Sequence, residues 1–389
     1  MSNSAAPNRN PRAGGILCVV GARPNFMKIA PIMAALKGAG PIPARLLHTG
    51  QHYDAAMNQQ FFRELGIPLP DLNLEVGSAS HAVQTAEIMR RFEPVLDAEC
   101  PAAVLVVGDV NSTIACALVA AKKGVPVVHV EAGLRSFDRT MPEEINRVLT
   151  DQISDLLFTT ERNARENLLR EGVAEPRIHF VGNVMIDTLH RNLERAVPAA
   201  QTLGTSAGGL AGCAEGYGVL TLHRPSNVDD PYVLRTLLGM VREISDRLPL
   251  VFPLHPRTRA QIGRHGLETL LDSQNLLVLP PLGYLQMLGL MREARLVLTD
   301  SGGIQEETTA LGVPCITLRN NTERPVTVTE GTNTVVGQDP ARIGAAVAEV
   351  LATGGKGGRV PEFWDGRAAV RIAGILRRWL EDTAARQVA

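Results

Sequence analysis

The sequence predicts an α/β protein built from two doubly wound domains, and three observations support this prediction. The chain has 389 residues, and because single hydrophobic cores stop growing beyond roughly 250–300 residues, two domains are expected. Short apolar runs rich in β-branched residues alternate with longer amphipathic segments, as strands and helices do. The alternation is interrupted once, by the Gly-rich and aperiodic residues 198–218, and then starts again.

The first half of the chain predicts one domain over residues 16–196, preceded by a disordered tail over residues 1–15. Its candidate strands are apolar on both faces and are separated by helices, which predicts a parallel sheet covered on both sides. Strands are predicted at 16–20, 45–48, 103–107, 125–130 and 156–159, and helices at 24–36, 55–65, 81–96, 112–122 and 143–153.

The second half predicts another domain of the same kind over residues 197–367, followed by a helix within residues 368–389 that could cap either domain. Strands are predicted at 219–222, 250–254, 276–279, 296–299 and 314–317, and helices at 232–246, 257–265, 284–292, 303–311 and 342–351. Paired doubly wound domains usually bind ligands in the cleft between the C-terminal ends of their strands. The residues that follow each strand are therefore the candidates for a site.

The composition limits the classes of function. A formal net charge of -1 leaves no basic excess for binding nucleic acid. The longest apolar runs are far shorter than the roughly 18 residues of a membrane-spanning helix, and the chain starts without the apolar run of a signal peptide, so a cytoplasmic protein without membrane contact is expected. The five cysteines form no CxxC pair, which predicts buried thiols and no metal site.

Two strand ends in the first domain carry cations and polar groups. In the motif GARPNFMK, Arg23 and Lys28 flank the N-terminus of a helix, which suits an anion. The motif is not GxGxxG, so a nicotinamide dinucleotide is not expected. Taken alone, the motif is slightly better explained by a structural turn with two surface cations. Gln51 and His52 follow the second strand, where a capped loop is the simpler interpretation.

Acidic residues follow the next two strands. Asp109 lies either at the rim of a cleft or at the cap of the following helix. Glu131 directly follows an apolar strand, where a carboxylate is costly unless it is paired or functional. Glu143 and Glu144 lie in the first turn of a helix that begins at Pro142, and the helix dipole alone favours acids there. That explanation is weaker for Glu143 once Asp109 and Glu131 are considered.

The second domain carries two histidines at strand ends. His223, followed by Arg224, ends the first strand, and His255 holds a similar position two elements later. A histidine at such a place could titrate near neutrality or bind a phosphate. A lone histidine is more often inert, and that alternative is stronger for His255.

The most specific motif is TDSGGIQEET in the second domain. Ser301 suits an N-cap, and Gly302 and Gly303 let backbone N–H groups approach a ligand closely. Bare amides at the positive end of a helix predict a cradle for a diphosphate. Glu307 could accept hydrogen bonds from ribose hydroxyls, and Arg324 in RNNTERP could close the site around a nucleotide. An ordinary Gly-rich turn is the alternative.

Together these motifs resemble the non-hydrolysing UDP-N-acetylglucosamine 2-epimerases. The matching strings are GARPNFMK, GQH, GD, HVEAGLR, PEEINR, HR, TDSGGIQEE and TERP, in this order over residues 21–325. The family is similar in fold to GT-B glycosyltransferases, which implies two Rossmann-like domains with a central cleft and a final helix that packs back on the first domain. The resemblance also implies a homodimer without a cofactor.

The resemblance further implies a reaction in which UDP leaves C1 and a proton leaves C2 of UDP-N-acetylglucosamine, and both return to give UDP-N-acetylmannosamine. It implies catalytic roles for Asp109, Glu131, Glu143, His223 and Lys28. It implies UDP-sugar binding by Arg23, Ser301, Gly302, Gly303, Glu307 and Arg324. Gln51, His52 and His255 match positions associated with a second UDP-N-acetylglucosamine that acts as an activator.

The sequence departs from the family's pattern near the sugar and the activator. Asn25 stands where many bacterial members have an acid, and a proline and a serine follow Arg224 in place of a second arginine and an acid. Two alternatives stay open: a hydrolysing epimerase, which releases free N-acetylmannosamine and UDP, and a 2-epimerase of a modified UDP-sugar. A glycosyltransferase would not require three carboxylates, and a catalytically inactive nucleotide-sugar sensor would be expected to lack them.

Overall fold

A computed structural model describes residues 15–204 and 216–388, except 39, 41, 52–61 and 63. The chain divides into two compact units, Met185–Gly366 and the residues on either side of it. Each unit holds one parallel sheet whose strands alternate along the chain with helices, so the predicted α/β fold with two doubly wound sheets is confirmed. The boundaries expected after residues 196 and 367 stay predictions. The compact units divide after Val184 and Gly366.

The first unit holds a seven-stranded sheet in the order β3-β2-β1-β4-β5-β6-β7. Its strands are β1 Ile16–Val20, β2 Ala44–His48, β3 Leu72–Asn73, β4 Ala103–Val107, β5 Val127–Ala132, β6 Leu156–Thr159 and β7 Ile178–Phe180. Its helices are α1 Arg23–Leu36, α2 His81–Glu99, α3 Asn111–Lys122, α4 Pro142–Ile153 and α5 Arg162–Arg170. Helix α6, Val184–Asn192, leads into the second unit.

The second unit holds a six-stranded sheet in the order β10-β9-β8-β11-β12-β13. Its strands are β8 Gly218–Thr221, β9 Leu250–Pro253, β10 Leu276–Leu279, β11 Leu296–Thr299, β12 Cys315–Thr317 and β13 Asn333–Val335. Its helices are α7 Ala199–Leu203, α8 Pro225–Val228, α9 Pro231–Ser245, α10 Pro256–Arg264, α11 Tyr284–Glu293, α12 Gly302–Leu311, α13 Pro325–Thr329 and α14 Pro340–Thr353.

In both sheets the order in which successive strands are added reverses once, and this switch point determines where a site can form. In the first unit the chain moves outward from β1 to β3 and then returns to add β4 on the other side of β1. The second unit repeats the reversal between β8 and β11. The loops after these neighbouring strands diverge to opposite faces of the sheet, which leaves an opening at the carboxyl edge.

Helix α2 illustrates how the sequence directs packing onto the first sheet. Its buried side chains recur every four residues and face the core that contains strand β4. Ser80 begins the helix by accepting a hydrogen bond from the Val83 N–H at 3.4 Å. Cys100 ends it with a left-handed φ of 43°. Cys100 is exposed, which corrects the expectation that every cysteine is buried.

The short edge strands were not predicted from the sequence. Strands β3, β7 and β13 contain two or three residues each, too few to show an apolar run or an alternating pattern. Helices α5 and α6 and the short helices α7, α8 and α13 were also missed. Helix α7 corrects the expectation that residues 198–218 are wholly aperiodic. The predicted helix at 55–65 lies almost entirely outside the described residues.

The final helix, α15 Ala368–Val388, belongs to the first unit. It packs against α1, and Arg377 Nη2 donates to the Gly40 carbonyl oxygen at 2.8 Å. Ile372 and Leu376 are fully buried on its inner face, so apolar packing fixes the helix in place.

Two helical glycines give a matched test of packing in the second unit. A Cβ at Gly289 in α11 would lie 1.8 Å from the Val197 carbonyl oxygen, whereas a Cβ at Gly239 in α9 would meet nothing within 4 Å. Gly289→Ala is therefore expected to lower the free energy of unfolding by about 1–3 kcal/mol. Gly239→Ala should raise it by about 0.5–1 kcal/mol, because alanine loses less backbone entropy in a helix. Urea denaturation measures both, and equal effects would contradict the close contact.

Candidate active site

The carboxyl edge of the first sheet gathers charged side chains from neighbouring strands. Strand β4 lies between β1 and β5, so Lys28 on α1, Asp109 after β4 and Glu131 in β5 approach the same region. Lys28 Nζ forms an ion pair with Glu131, and both side chains are almost completely buried. Such a pair is costly to desolvate and is kept only when its geometry compensates.

The backbone at Glu131 is unusual. Its φ is 73°, a left-handed value that residues other than glycine rarely adopt. The pairing of β5 with β6 shifts register between Val130 and Ala132, which marks a bulge at this residue. Backbone strain of this kind is retained where the surrounding structure requires a particular side-chain direction. Here the bulge directs a carboxylate toward Lys28.

Gly108 is required by the same contact. Its φ is +68°, and a Cβ there would lie 2.8 Å from Lys28 Nζ and 3.4 Å from Glu131 Oε2. Any side chain at this position would therefore separate the ion pair as well as strain the backbone.

Asn25 explains one departure from the family's pattern. Its Oδ1 accepts from the N–H groups of Gly21 and Ala22, both at 3.1 Å, and its Nδ2 donates to the Val107 carbonyl at 3.0 Å. An ionised acid could accept these hydrogen bonds but could not donate. The amide therefore ties the turn before α1 to the end of β4.

Asp109 is held by helix α4. Arg147 forms an ion pair with its carboxylate, and Asn146 Nδ2 donates to its carbonyl oxygen at 2.9 Å. Arg147 also contacts Glu144 Oε2 at 2.7 Å. Glu144 is buried and accepts from the N–H groups of Ser136 and Phe137 at 2.9 Å, so it anchors the loop before α4 rather than only matching the helix dipole.

The remaining candidates of the first unit are less closely connected. Among the contacts of the described residues, none links the partly exposed Glu143 to the other two candidate carboxylates. Gln51 is buried and accepts from the Ser112 N–H at 3.1 Å and from its hydroxyl at 2.6 Å, so it braces the sheet edge. Arg23 begins α1, but its side chain lies outside the described structure, as does the whole of His52.

In the second unit, Asp300 organises the carboxyl edge from the end of β11. This buried carboxylate accepts from the N–H groups of His223 and Arg224 at 2.9 Å and from Asn227 Nδ2 at 3.1 Å. His223 Nδ1 lies 2.7 Å from its Oδ1. Burial alone would raise the pKa of Asp300, but the hydrogen bond and charge of His223, with the two backbone donors, hold that pKa below its ordinary value.

The Ser-Gly-Gly turn opens helix α12 as predicted from the sequence. Ser301 has the extended conformation of an N-cap, but its side chain makes no capping hydrogen bond. A Cβ at Gly302 would lie 2.6 Å from Glu323 Oε1, so a side chain there would displace this carboxylate. Gly303 is the next residue of the helix. The first amides of α12 are therefore not capped by this side chain and can approach a ligand.

A cluster of buried charges surrounds this helix end. Glu323 lies 2.8 Å from Arg319 Nη2, 3.7 Å from Arg224 Nη2 and 3.8 Å from Arg324 Nη1. Arg324 Nε also pairs with Glu306 Oε1 at 2.6 Å. Three guanidinium groups therefore lie beside the helix N-terminus, and both the guanidinium groups and the helix end can bind an anion.

Glu307 lies more than one turn after the start of α12 and is buried against Tyr284. Burial, the negative charge of Glu307 and the hydrogen bond to it raise the pKa of the Tyr284 hydroxyl far above its usual range.

His255 has a different role. Its Nδ1 accepts from the Arg257 N–H at 3.2 Å and so caps helix α10, and its ring centroid lies 5.5 Å from that of His223.

Several residues in these arrangements carried no individual signal in the sequence. Arg147 and Asn146 stand in the motif PEEINR, but helical spacing alone does not show that they reach the turn after β4. Asp300 stands in TDSGG next to the predicted N-cap, and Tyr284 is a single aromatic residue at a helix start. For Asp300, the signal that could have identified it is a polar residue within an otherwise apolar strand-to-helix junction.

Within the residues that the structure describes, no three His, Cys, Asp or Glu side chains come close enough to hold a metal ion. Across the same part of the chain, no helix combines the length and the apolar character that a membrane crossing requires.

Two parallel sheets with interleaved helices, each with charged side chains at its carboxyl edge, define a GT-B-like α/β class. The profile of the UDP-N-acetylglucosamine 2-epimerase family matches residues 34–377. The chain therefore belongs to the UDP-N-acetylglucosamine 2-epimerase family and is an epimerase, as the resemblance of its motifs indicated.

Individual relatives agree with this assignment. A UDP-N-acetylglucosamine 2-epimerase of Methanococcus maripaludis is 42% identical over 86% of this chain and 90% of the relative. A UDP-2,3-diacetamido-2,3-dideoxy-D-glucuronate 2-epimerase of Pseudomonas aeruginosa is 45% identical over 83% of this chain and 88% of the relative. The crystal structure of the Methanocaldococcus jannaschii UDP-GlcNAc 2-epimerase in complex with UDP-GlcNAc and UDP has a TM-score of 0.85 at 41% identity, covering 93% of this chain and 99% of that one.

The depressed pKa of Asp300 leads to a prediction about stability and pH. The unfolded chain keeps a pKa of about 3.9, so as the pH falls it binds the proton before the folded state does. Asp300 therefore stabilises the fold fully above about pH 5 and loses this contribution as the pH falls through its depressed value. Asp300→Asn should lower the free energy of unfolding by about 2 kcal/mol at pH 7, and by less below about pH 4. Urea denaturation across this range measures the difference, and a pH-independent difference would contradict the assignment.

Proposed function

We propose that this epimerase interconverts UDP-N-acetylglucosamine and UDP-N-acetylmannosamine by eliminating UDP and adding it back. The observation that carries the proposal is the pair of carboxylates at neighbouring strand ends, each with its own cation. Glu131 pairs with Lys28, and Asp109 pairs with Arg147. Inversion at C2 requires proton transfer on both faces of that carbon, and two separately held carboxylates meet this requirement.

Elimination of UDP breaks two bonds of the sugar, one at C1 and one at C2. The bond from C1 to the diphosphate oxygen breaks with both electrons on oxygen, a carboxylate takes the C2 proton, and the C–H electrons form the double bond of 2-acetamidoglucal. In the return step the second group, protonated from solvent, delivers its proton to C2 from the opposite face, where the double-bond electrons form the new C–H bond. A diphosphate oxygen lone pair forms the new bond to C1, and the first carboxyl group releases its proton to solvent. Because the C2 proton is weakly acidic, departure of UDP should lead and should depend on cations near the phosphates.

The arrangement in the second unit supports UDP binding. Open amides at the start of α12 and the guanidinium groups of Arg224, Arg319 and Arg324 suit a diphosphate. Asp300 accepts from His223 Nδ1, which leaves Nε2 to donate to a phosphate oxygen when the ring is protonated.

We assign the other predicted residues to the same reaction by the resemblance of their motifs. Glu131 with Lys28 and Asp109 with Arg147 are the proposed acid–base groups, and Glu143 is a third carboxylate whose part follows only from the resemblance. UDP binding is assigned to Arg23, Ser301, Gly302, Gly303, Glu307 and Arg324. An activator site with Gln51, His52 and His255 and a homodimer also belong to the proposal, which uses no cofactor.

A second candidate substrate is a modified UDP-sugar. The relative from Pseudomonas aeruginosa, named for a UDP-diacetamido-glucuronate, is 45% identical to this chain, as similar as the relatives named for UDP-N-acetylglucosamine. The chemistry at C1 and C2 is the same for both sugars, so the paired carboxylates do not discriminate between them.

Proton NMR of the purified protein in D2O tests the function. With UDP-N-acetylglucosamine, we expect UDP-N-acetylmannosamine carrying deuterium at C2 and an equilibrium mixture of both sugars. A parallel reaction with UDP-2,3-diacetamido-glucuronate identifies the preferred substrate. Free N-acetylmannosamine and stoichiometric UDP would instead assign a hydrolysing epimerase. No reaction with either sugar, with or without added UDP-N-acetylglucosamine as activator, would contradict the proposal.

Asp109→Asn separates catalysis from binding. The amide keeps the shape of the carboxylate but cannot accept a proton, so kcat should fall by at least about 100-fold while UDP affinity stays unchanged. Asp97→Asn is the control, because Asp97 pairs only with the exposed Lys123 among its described contacts. Turnover is measured by the same NMR assay and UDP affinity by calorimetry. Near-normal turnover would remove Asp109 from the mechanism.

A further inference from the structure

A buried chain of charged groups lies behind the two carboxylates and has no part in the reaction described above. His129 in β5 is fully buried, with Nδ1 2.6 Å from Asp151 Oδ1 and Nε2 2.8 Å from the Gly108 carbonyl oxygen. Asp151 in α4 is also fully buried. Its Oδ2 accepts from the Gly133 N–H at 3.0 Å and lies 2.7 Å from Arg135 Nη2.

These contacts fix the state of the imidazole ring. A carbonyl oxygen can only accept a hydrogen bond, so Nε2 must carry a hydrogen. Asp151 is ionised because its Oδ2 faces the Arg135 guanidinium and accepts from the Gly133 N–H. An unprotonated Nδ1 would direct its lone pair at this carboxylate from 2.6 Å. Nδ1 therefore carries a hydrogen too.

We propose that His129 is a buried imidazolium that positions both candidate carboxylates. Its Nε2–H holds the peptide group that joins Gly108 to Asp109. Its own strand continues two residues later into the bulge at Glu131. The Gly108 N–H donates back to the Val130 carbonyl at 3.1 Å, so the two strand ends are tied in both directions.

The charge of this ring is compensated within the described residues that face it. Asp151 from α4 is its direct partner. Arg135, which contacts Asp151, also places its Nη2 2.5 Å from Glu171 Oε2. On the sheet, His129 pairs with the apolar Val106 and Leu157. The loss of either ring proton would set two acceptors against each other, so the network favours one geometry over others.

The protonation state can be measured without any activity. In protein labelled with 15N-histidine, the His129 ring should show a directly bonded proton on each nitrogen, assigned in the wild-type protein by through-bond correlation to the His129 backbone. One protonated nitrogen instead of two would overturn the imidazolium. The kinetic part of the inference rests on the proposed function. The NMR readout stands even if the wild-type protein does not turn over a UDP-sugar.

Two conservative variants test positioning. Glutamine can place its amide nitrogen where Nε2 lies and donate to Gly108, whereas asparagine can reach only the position of Nδ1. We expect His129→Asn to lower kcat by about 10–100-fold with unchanged UDP affinity, and His129→Gln to retain more activity. His179→Phe, in strand β7 of the same sheet, is the control with normal turnover.

Which of the two variants keeps more turnover decides between a positioning role and a general effect on stability. Thermal melting is measured for each, so that turnover is compared only between folded proteins. Equal turnover of the Gln and Asn variants at equal stability would overturn the role of the Gly108 hydrogen bond. If neither variant folds, the ring signals of the wild-type protein still test the inference.

Discussion

The buried ion pair between Lys28 and Glu131 is the interaction on which the first unit's candidate site depends. A cation and a carboxylate removed from water are tolerated only with close and complete pairing. That requirement accounts for the glycine at position 108, since a side chain there would enter the contact. It also accounts for the strained backbone and bulge at Glu131, which direct the carboxylate away from the regular path of β5.

The second unit meets the same physical problem differently. Asp300 is also a buried carboxylate at a strand end, but its partners are two backbone N–H groups, an amide and a histidine rather than a lysine or an arginine. Backbone donors cannot move away, so this carboxylate is suited to holding a loop and orienting His223. The carboxylates of the first unit face Lys28 and Arg147, whose long side chains can adjust their position. The two units therefore use similar charges for different purposes.

Much of the fold follows from local sequence, and the exceptions have physical causes. Strand β4 consists of five consecutive apolar residues, all buried, and such a run between amphipathic segments predicts a central parallel strand. Strand β3 has two residues, and its existence depends on pairing with β2, which no local pattern records. Similarly, Ser301 and Gly302 were identified because a helix start has a local signature. The side chain that lies against Gly302 is that of Glu323, 21 positions away, and it could not be identified in this way.

By itself, the sequence determined the strand ends at which charged residues stand, the glycines that allow close approach and the family to which the motifs belong. These are properties of short segments, because capping, turns and apolar periodicity act over a few residues. Only the tertiary structure decided which charge meets which: Arg147 with Asp109, His129 with both Asp151 and Gly108, and Tyr284 with Glu307. Each of these contacts joins different elements, and their distances are set by how parallel strands and helices pack rather than by any residue's neighbours in the chain.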